Sequence, residues 1–244
     1  MLFDDIHKKD FEQTKYISKK YNKQWKRFAG RNFVGDCSEL FKRLCPSNYY
    51  EFYVKYTKDG ERTENNRLEL PYCGRSENEI KILSEKYKRA CGDTSIPLEE
   101  FIKNIYCHII IETFDGHMAE KECGDILNNL WYCYEKPNGD EDALLAIDFK
   151  VKKGDKLIFL LQIKPISFFR GNKNESLIED RKYAFEKIRK CRKIFNVPTF
   201  YMVYKSNDDG TVKWLTENNK LCFKLDRLCD EQTGLVKEIP NEFI

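Results

Sequence analysis

The chain of 244 residues has no run of about 18 consecutive apolar residues, which excludes a membrane-spanning helix. Its opening stretch, MLFDDIHKKDFEQ, lacks the basic-then-apolar order of a secretory leader, so the expected location is cytoplasmic, with no membrane partner. The cysteines lack the spacing that would make them a metal or disulfide framework. There are ten, none in C-x-x-C spacing, accompanied by three histidines. A zinc cluster is therefore unsupported, and a disulfide scaffold is not expected without secretion. Most of these thiols are read as small reduced hydrophobes. The net charge is only +3, so a general polycation is excluded as well, and neither an internal repeat nor a low-complexity tract is visible.

What is present is a globular composition, with 41% hydrophobic, 34% charged and 14% aromatic residues. That length and composition suit one compact unit. Residues 1–100 are expected to form a mostly helical region for DNA binding or dimerisation, and residues 101–244 an α/β core. Basic charge is clustered. KYISKKYNKQWKRFAGRN (15–32) holds seven basic residues and no acid. RKYAFEKIRKCRK (181–193) is dominated by Lys and Arg, with Glu186 its one acid. Such runs suit contact with a polyanion, and equally suit solvated helix faces.

The periodicity predicts helix in the stretch from Lys8 to Leu44, interrupted at Gly30 and Gly35, with a short segment at 38–45 closed by Pro46. Tyr49 to Tyr56 fits helix or strand, and KDGERTENNR reads as a loop. SENEIKILSEKYKRACG carries Ser76 and Glu79 at capping-box spacing and Gly92 beyond the end. SIPLEEFIKNIYCHIIIETF is a further helix, with Pro97 near its first turn. After Gly116, HMAEKECGDILNNLWYCYE places Glu120, Cys123, Leu127 and Trp131 on one stripe, and Glu122, Asp125 and Asn129 opposite. Glu120 is thus expected to face the core and Glu122 water. Strands follow at 144–151 and 157–164, joined by a tight turn at Gly154-Asp155. A basic helix at 176–195 and strands at 197–205 and 211–215 complete a central mixed β-sheet flanked by helices.

The chemistry lies in AIDFKVKKGDKLIFLLQIKP. Asp148 and Lys150 share one face of the first strand, and Gln162 and Lys164 one face of the second. Folded as a hairpin, the pair brings Asp148 near Gln162 or Lys164, with Glu120 pointing in from the preceding helix. Hard cations such as Mg²⁺ take oxygen ligands, here Asp148 first, then the carbonyl of Ile163 and the Glu120 carboxylate. The metal would activate water, and Lys164 would orient it and stabilise the charge that builds on a phosphate. The rival reading is a structural Asp148–Lys164 salt bridge, with Gln162 a hydrogen-bonding core residue and Glu120 a partly exposed acid.

These residues resemble the PD-(D/E)xK nucleases: Glu120 on a helix, IDF with Asp148 on a strand, and QIK with Lys164 on the next. The resemblance covers roughly residues 112–205 and points to type II restriction endonucleases. FVGDCSEL, PYCGRSENEIKILSEKY and ETFDGHMAEKE are similar to the MjaI-type enzymes, whose target is CTAG. Ile147 stands in place of the motif's proline and Gln162 in place of its second acid, which shifts weight onto Glu120. The resemblance implies a restriction-endonuclease-like core, Mg²⁺-dependent cleavage of double-stranded DNA, and a homodimer cutting a palindrome. Expected DNA contacts are Ser167, Arg170, Asn172 and Lys173 in the loop after Lys164, and Lys182, with Lys187 and Arg189, on the basic helix. Lys26, Arg27 and Arg31 are expected to contact DNA from the N-terminal run. Alternatives are a repair or junction nuclease with the same site, a DNA-binding module without catalysis, and a protein-interaction domain.

Overall fold

The computed structural model describes residues 17, 20, 21, 24, 25, 34–66, 73–138, 141, 144–173, 175–207 and 210–237, and the backbone of 242–243. Lys26, Arg27 and Arg31 lie outside the described residues. The chain divides into two compact units, one of residues 1–117 with 208–210 and one of 118–207 with 211–244.

The first unit is helical. Helix α1 (Cys37–Leu44) begins at Asp36, whose side chain accepts the Glu39 amide. Helix α2 (Tyr49–Thr63) settles the ambiguous aromatic stretch as helix and continues through most of the expected loop. Gly60 explains why a glycine is used inside it. A Cβ there would stand 2.1 Å from the Arg75 carbonyl carbon, so the segment at 74–76 can only pass against a bare backbone. Its neighbour Asp59 accepts from Arg43 and Arg62 and from the Gly74 amide. Helix α3 (Glu77–Cys91) carries the predicted capping box between Ser76 and Glu79, and Gly92 ends it at φ 67°.

Helix α4 (Leu98–Tyr106) passes through a π-helical segment (Cys107–Ile111) into α5 (Glu112–Asn129). Gly116 lies inside α5, which runs unbroken through it. A lone glycine weakens a helix by only about 1 kcal/mol, which neighbouring turns carry.

The second unit is a mixed sheet with helices on both faces. Its strands are β1 (Cys133–Glu135), β2 (Phe149–Lys153), β3 (Lys156–Pro165), β4 (Thr199–Ser206), β5 (Val212–Thr216), β6 (Cys222–Phe223) and β7 (Glu242–Phe243). Their order is β1-β2-β3-β4-β5-β7, with β6 also on β4. The β1–β2–β3 meander is antiparallel, and β4 returns parallel to β3 after helix α6 (Glu175–Phe195). Ala119, Cys123 and Leu127 of α5 pack on Phe149, Val151, Leu161, Ile163 and Met202. On the other face, Ala184 and Phe185 of α6 pack on Tyr201 and Val203, while Cys191 meets Leu160, Leu145 and Ile147. The period-two alternation of β3 thus serves two cores at once. A short helix α7 (Leu225–Leu228) adds Leu225 and Leu228 to the α6 side.

Two details differ from the sequence reading. Strand β2 starts at Phe149 rather than Leu144, because Ala146 adopts a left-handed φ of 49° that an extended strand does not accommodate. Trp131, expected on the inward stripe, is 92% exposed. The helix ends before it, and Trp131 itself sits at φ 61°, which turns the chain away from the stripe.

Candidate functional site

The β2–β3 ladder fixes the site. Phe149 pairs with Leu161 and Lys150 with Leu160, so one step past the last pair Asp148 comes opposite Gln162. The Asp148 amide donates to the Leu161 carbonyl at 3.0 Å, and Oδ2 of Asp148 accepts the Ile163 amide at 2.5 Å. The carboxylate is thus seated on the middle residue of Gln162-Ile163-Lys164. In an extended strand the N–H and C=O of one residue share an edge, so the Ile163 carbonyl lies on Asp148's side of β3. Lys164 projects from the same face as Gln162, two residues on, with Nζ 6.0 Å from the centre of the Phe168 ring.

Gln162 is buried, and its Nε2 donates to the Ala146 carbonyl. The side chain standing where the motif has an acid thus pins the left-handed bend that starts the Asp148 segment. A buried amide committed in this way is expensive to redirect.

Glu120 lies on α5 three residues before Cys123 and pairs with Lys136, whose ammonium also lies 5.5 Å from the centre of the Phe149 ring. Glu120 is partly exposed, so its inward placement is only partial. Glu122, expected to face water, accepts the Trp214 indole N–H at 2.8 Å. Burial pushes the Cys123 thiol well above the ordinary range, followed by neighbouring Cys222 and then by the charges of Asp148, Glu120 and Glu122. Among the described residues no three His, Cys, Asp or Glu side chains group to hold a metal ion.

Sequence reasoning missed Glu141. It pairs with Lys150 at 2.9 Å and accepts the Asn138 amide, which with Lys150 holds its carboxyl below the usual range. The Asn138–Glu141 spacing, with reciprocal bonds at 2.8 and 3.0 Å, is a readable capping signal.

The loop after Lys164 opens as a 3₁₀ turn at Ile166–Phe169. Ser167, Arg170 and Lys173 are exposed there. Asn172 is occupied otherwise: its amide group donates to the Val236 carbonyl at 3.1 Å and accepts the Val236 amide at 2.7 Å. Lys182 pairs with Glu179, Arg189 with Glu231, and Lys187 lies over the Tyr183 ring. Arg181, the first residue of the basic run at 181–193, is fully buried. It donates to the carbonyls of Gly234 at 2.6 Å, Phe168 at 2.9 Å and Gly171 at 3.3 Å. It holds the loop rather than facing a ligand.

No protein-family model, curated protein or solved structure matches the chain. No helix among the described residues is long and apolar enough to cross a membrane.

Proposed function

We propose that this chain is a Mg²⁺-dependent endonuclease of double-stranded DNA, of the type II restriction class it resembles. The observation that supports this most is the seat of Asp148 on the Ile163 amide, with Lys164 on the same face of the next strand. The order helix with Glu120, short strand β1, strand β2 directly after Asp148, strand with Lys164, helix, strand supports the resemblance. The donor chemistry suits Mg²⁺, which accepts one or two carboxylates and fills the rest of its shell with water and substrate phosphate. Asp148 and the Ile163 carbonyl would hold it, with Glu120 released from Lys136. Bound there, it would supply an activated water and charge neutralisation at phosphate. Lys164 has no carboxylate partner among the described residues, so its ammonium is available to a phosphate oxygen. Arg170 and Lys173 supply exposed cations beside it for the DNA backbone. A palindromic duplex such as CTAG would be cut by a homodimer.

The test is digestion of plasmids of known sequence, CTAG-containing and CTAG-free. Discrete fragments that require Mg²⁺ and vanish in Asp148→Asn and Lys164→Ala are expected. Asp148→Asn is chosen because an amide oxygen still accepts the Ile163 N–H, so the fold survives the loss of charge. Failure of the wild type to cut any duplex over a range of divalent metals refutes the proposal.

A second reading is a DNA-binding module without catalysis. It is favoured by Gln162 being tied to Ala146 and Glu120 to Lys136. It predicts salt-sensitive binding that Asp148→Asn leaves intact, without strand breaks.

A further inference from the structure

Three sulfur-bearing side chains from three elements lie on the α5 face of the sheet. Cys123 Sγ of α5 lies 3.5 Å from Met202 Sδ of β4. Met202 is directly paired with Cys222 of β6 in antiparallel register, which puts their side chains on the same face. Cys222 packs against the same cluster as Cys123 and Met202. All three cysteine-pair and thioether donors are soft, and none belongs to the hairpin site.

We propose that Cys123, Met202 and Cys222 form a binding site for a soft monovalent metal ion, Cu(I) in chemical class. Thiolate and thioether donors select Cu(I) over the hard cations that oxygen ligands prefer. At a metal–sulfur bond of about 2.3 Å, sulfurs sharing one ion stand roughly 4 Å apart. The existing contact of 3.5 Å therefore needs to open only slightly. Cys123 and Met202 are buried, whereas Cys222 on its two-residue strand is partly exposed and gives the ion a way in. Uptake is balanced by release of two protons, one from each thiol, to water; no electron is transferred.

The experiment uses the full chain, reduced and anaerobic, titrated with Cu(I) delivered as its bicinchoninate complex. The wild type is expected to withdraw one Cu(I) per chain ahead of any further uptake. That first equivalent should be lost in Cys123→Ala/Cys222→Ala and kept in Cys45→Ala/Cys133→Ala, which removes the two exposed thiols. Copper X-ray absorption of the one-equivalent sample should count three sulfur neighbours in the wild type and two in Met202→Leu. The leucine variant conserves volume, so it remains informative if the double cysteine variant does not fold. Equal withdrawal by wild type and Cys123→Ala/Cys222→Ala, no withdrawal by the wild type, or an unchanged sulfur count in Met202→Leu overturns the proposal.

Discussion

Replacing Arg181 by methionine tests how the loop behind Lys164 is held. Arg181 is fully buried and carries no carboxylate partner among its hydrogen bonds; its five N–H donors meet three backbone carbonyls instead. Hydrogen bonds to a charged group contribute about 1.5–3 kcal/mol each, and an orphaned buried carbonyl costs about 1–3 kcal/mol. Against this stands the dehydration of the guanidinium, which burial expresses by lowering its pKa from the usual value. Methionine fills similar volume and removes that dehydration cost, so the net expected loss is about 3–4 kcal/mol, a large share of an ordinary domain's stability. The control lies two turns on in the same helix. Arg189→Met removes an exposed pair with Glu231, worth at most about 1 kcal/mol. Equilibrium urea unfolding of both variants reads the difference, and limited proteolysis should cut Arg181→Met within residues 166–173 before the rest of the chain. If Arg181→Met unfolds within about 1 kcal/mol of the wild type, or no earlier than Arg189→Met, the carbonyl cradle is not what fixes this loop.

Three further outcomes are expected. Gln162→Glu sets a carboxylate against the Ala146 carbonyl and should cost about 1–3 kcal/mol by urea unfolding; under the nuclease reading it should also lower the Mg²⁺ concentration that gives half-maximal cleavage. Gly60→Ala, which at an open helix position would stabilise by up to about 1 kcal/mol, should instead lower the melting temperature by several degrees, because the new methyl meets the Arg75 backbone. Burial alone would raise the Asp59 carboxyl, but Arg43, the Gly74 amide and Arg62 outweigh it and bring it down to about 2. Its folded pKa is thus below its unfolded value of about 4, so its contribution, on the order of 2 kcal/mol, is present above pH 4 and lost as pH falls toward 2. Acid unfolding of Asp59→Asn should show a correspondingly flatter slope over that window.

The hairpin and its residues were readable because period-two alternation and Gly154 at a tight turn are local signals, and Asp148, Gln162 and Lys164 follow from register alone. What Gln162 does was not readable, since its partner is a bend at Ala146 that no propensity marks. The stripe on α5 was correct for Cys123 and Leu127 and failed at Trp131, where the helix had already ended. Glu122 was misassigned because its partner, Trp214, lies 92 residues away, beyond any periodicity argument. Arg181 was hidden among exposed neighbours of the same charge. A helix wheel separates faces, but it does not announce that a cation will be solvated by carbonyls from loops at 168–171 and 234. The helix through Gly60 was missed for the same reason, the contact that requires glycine being tertiary.

The three tryptophans are placed so that the chain carries its own optical probes. Trp25 is stacked on His108 in the first unit, Trp214 is sealed in the core of the second, and Trp131 stands in solvent. Only the first two should change emission on denaturation. With Trp131 converted to phenylalanine, each unit would report its own melting through a single fluorophore, so a shared or a staggered transition could be read without any added dye.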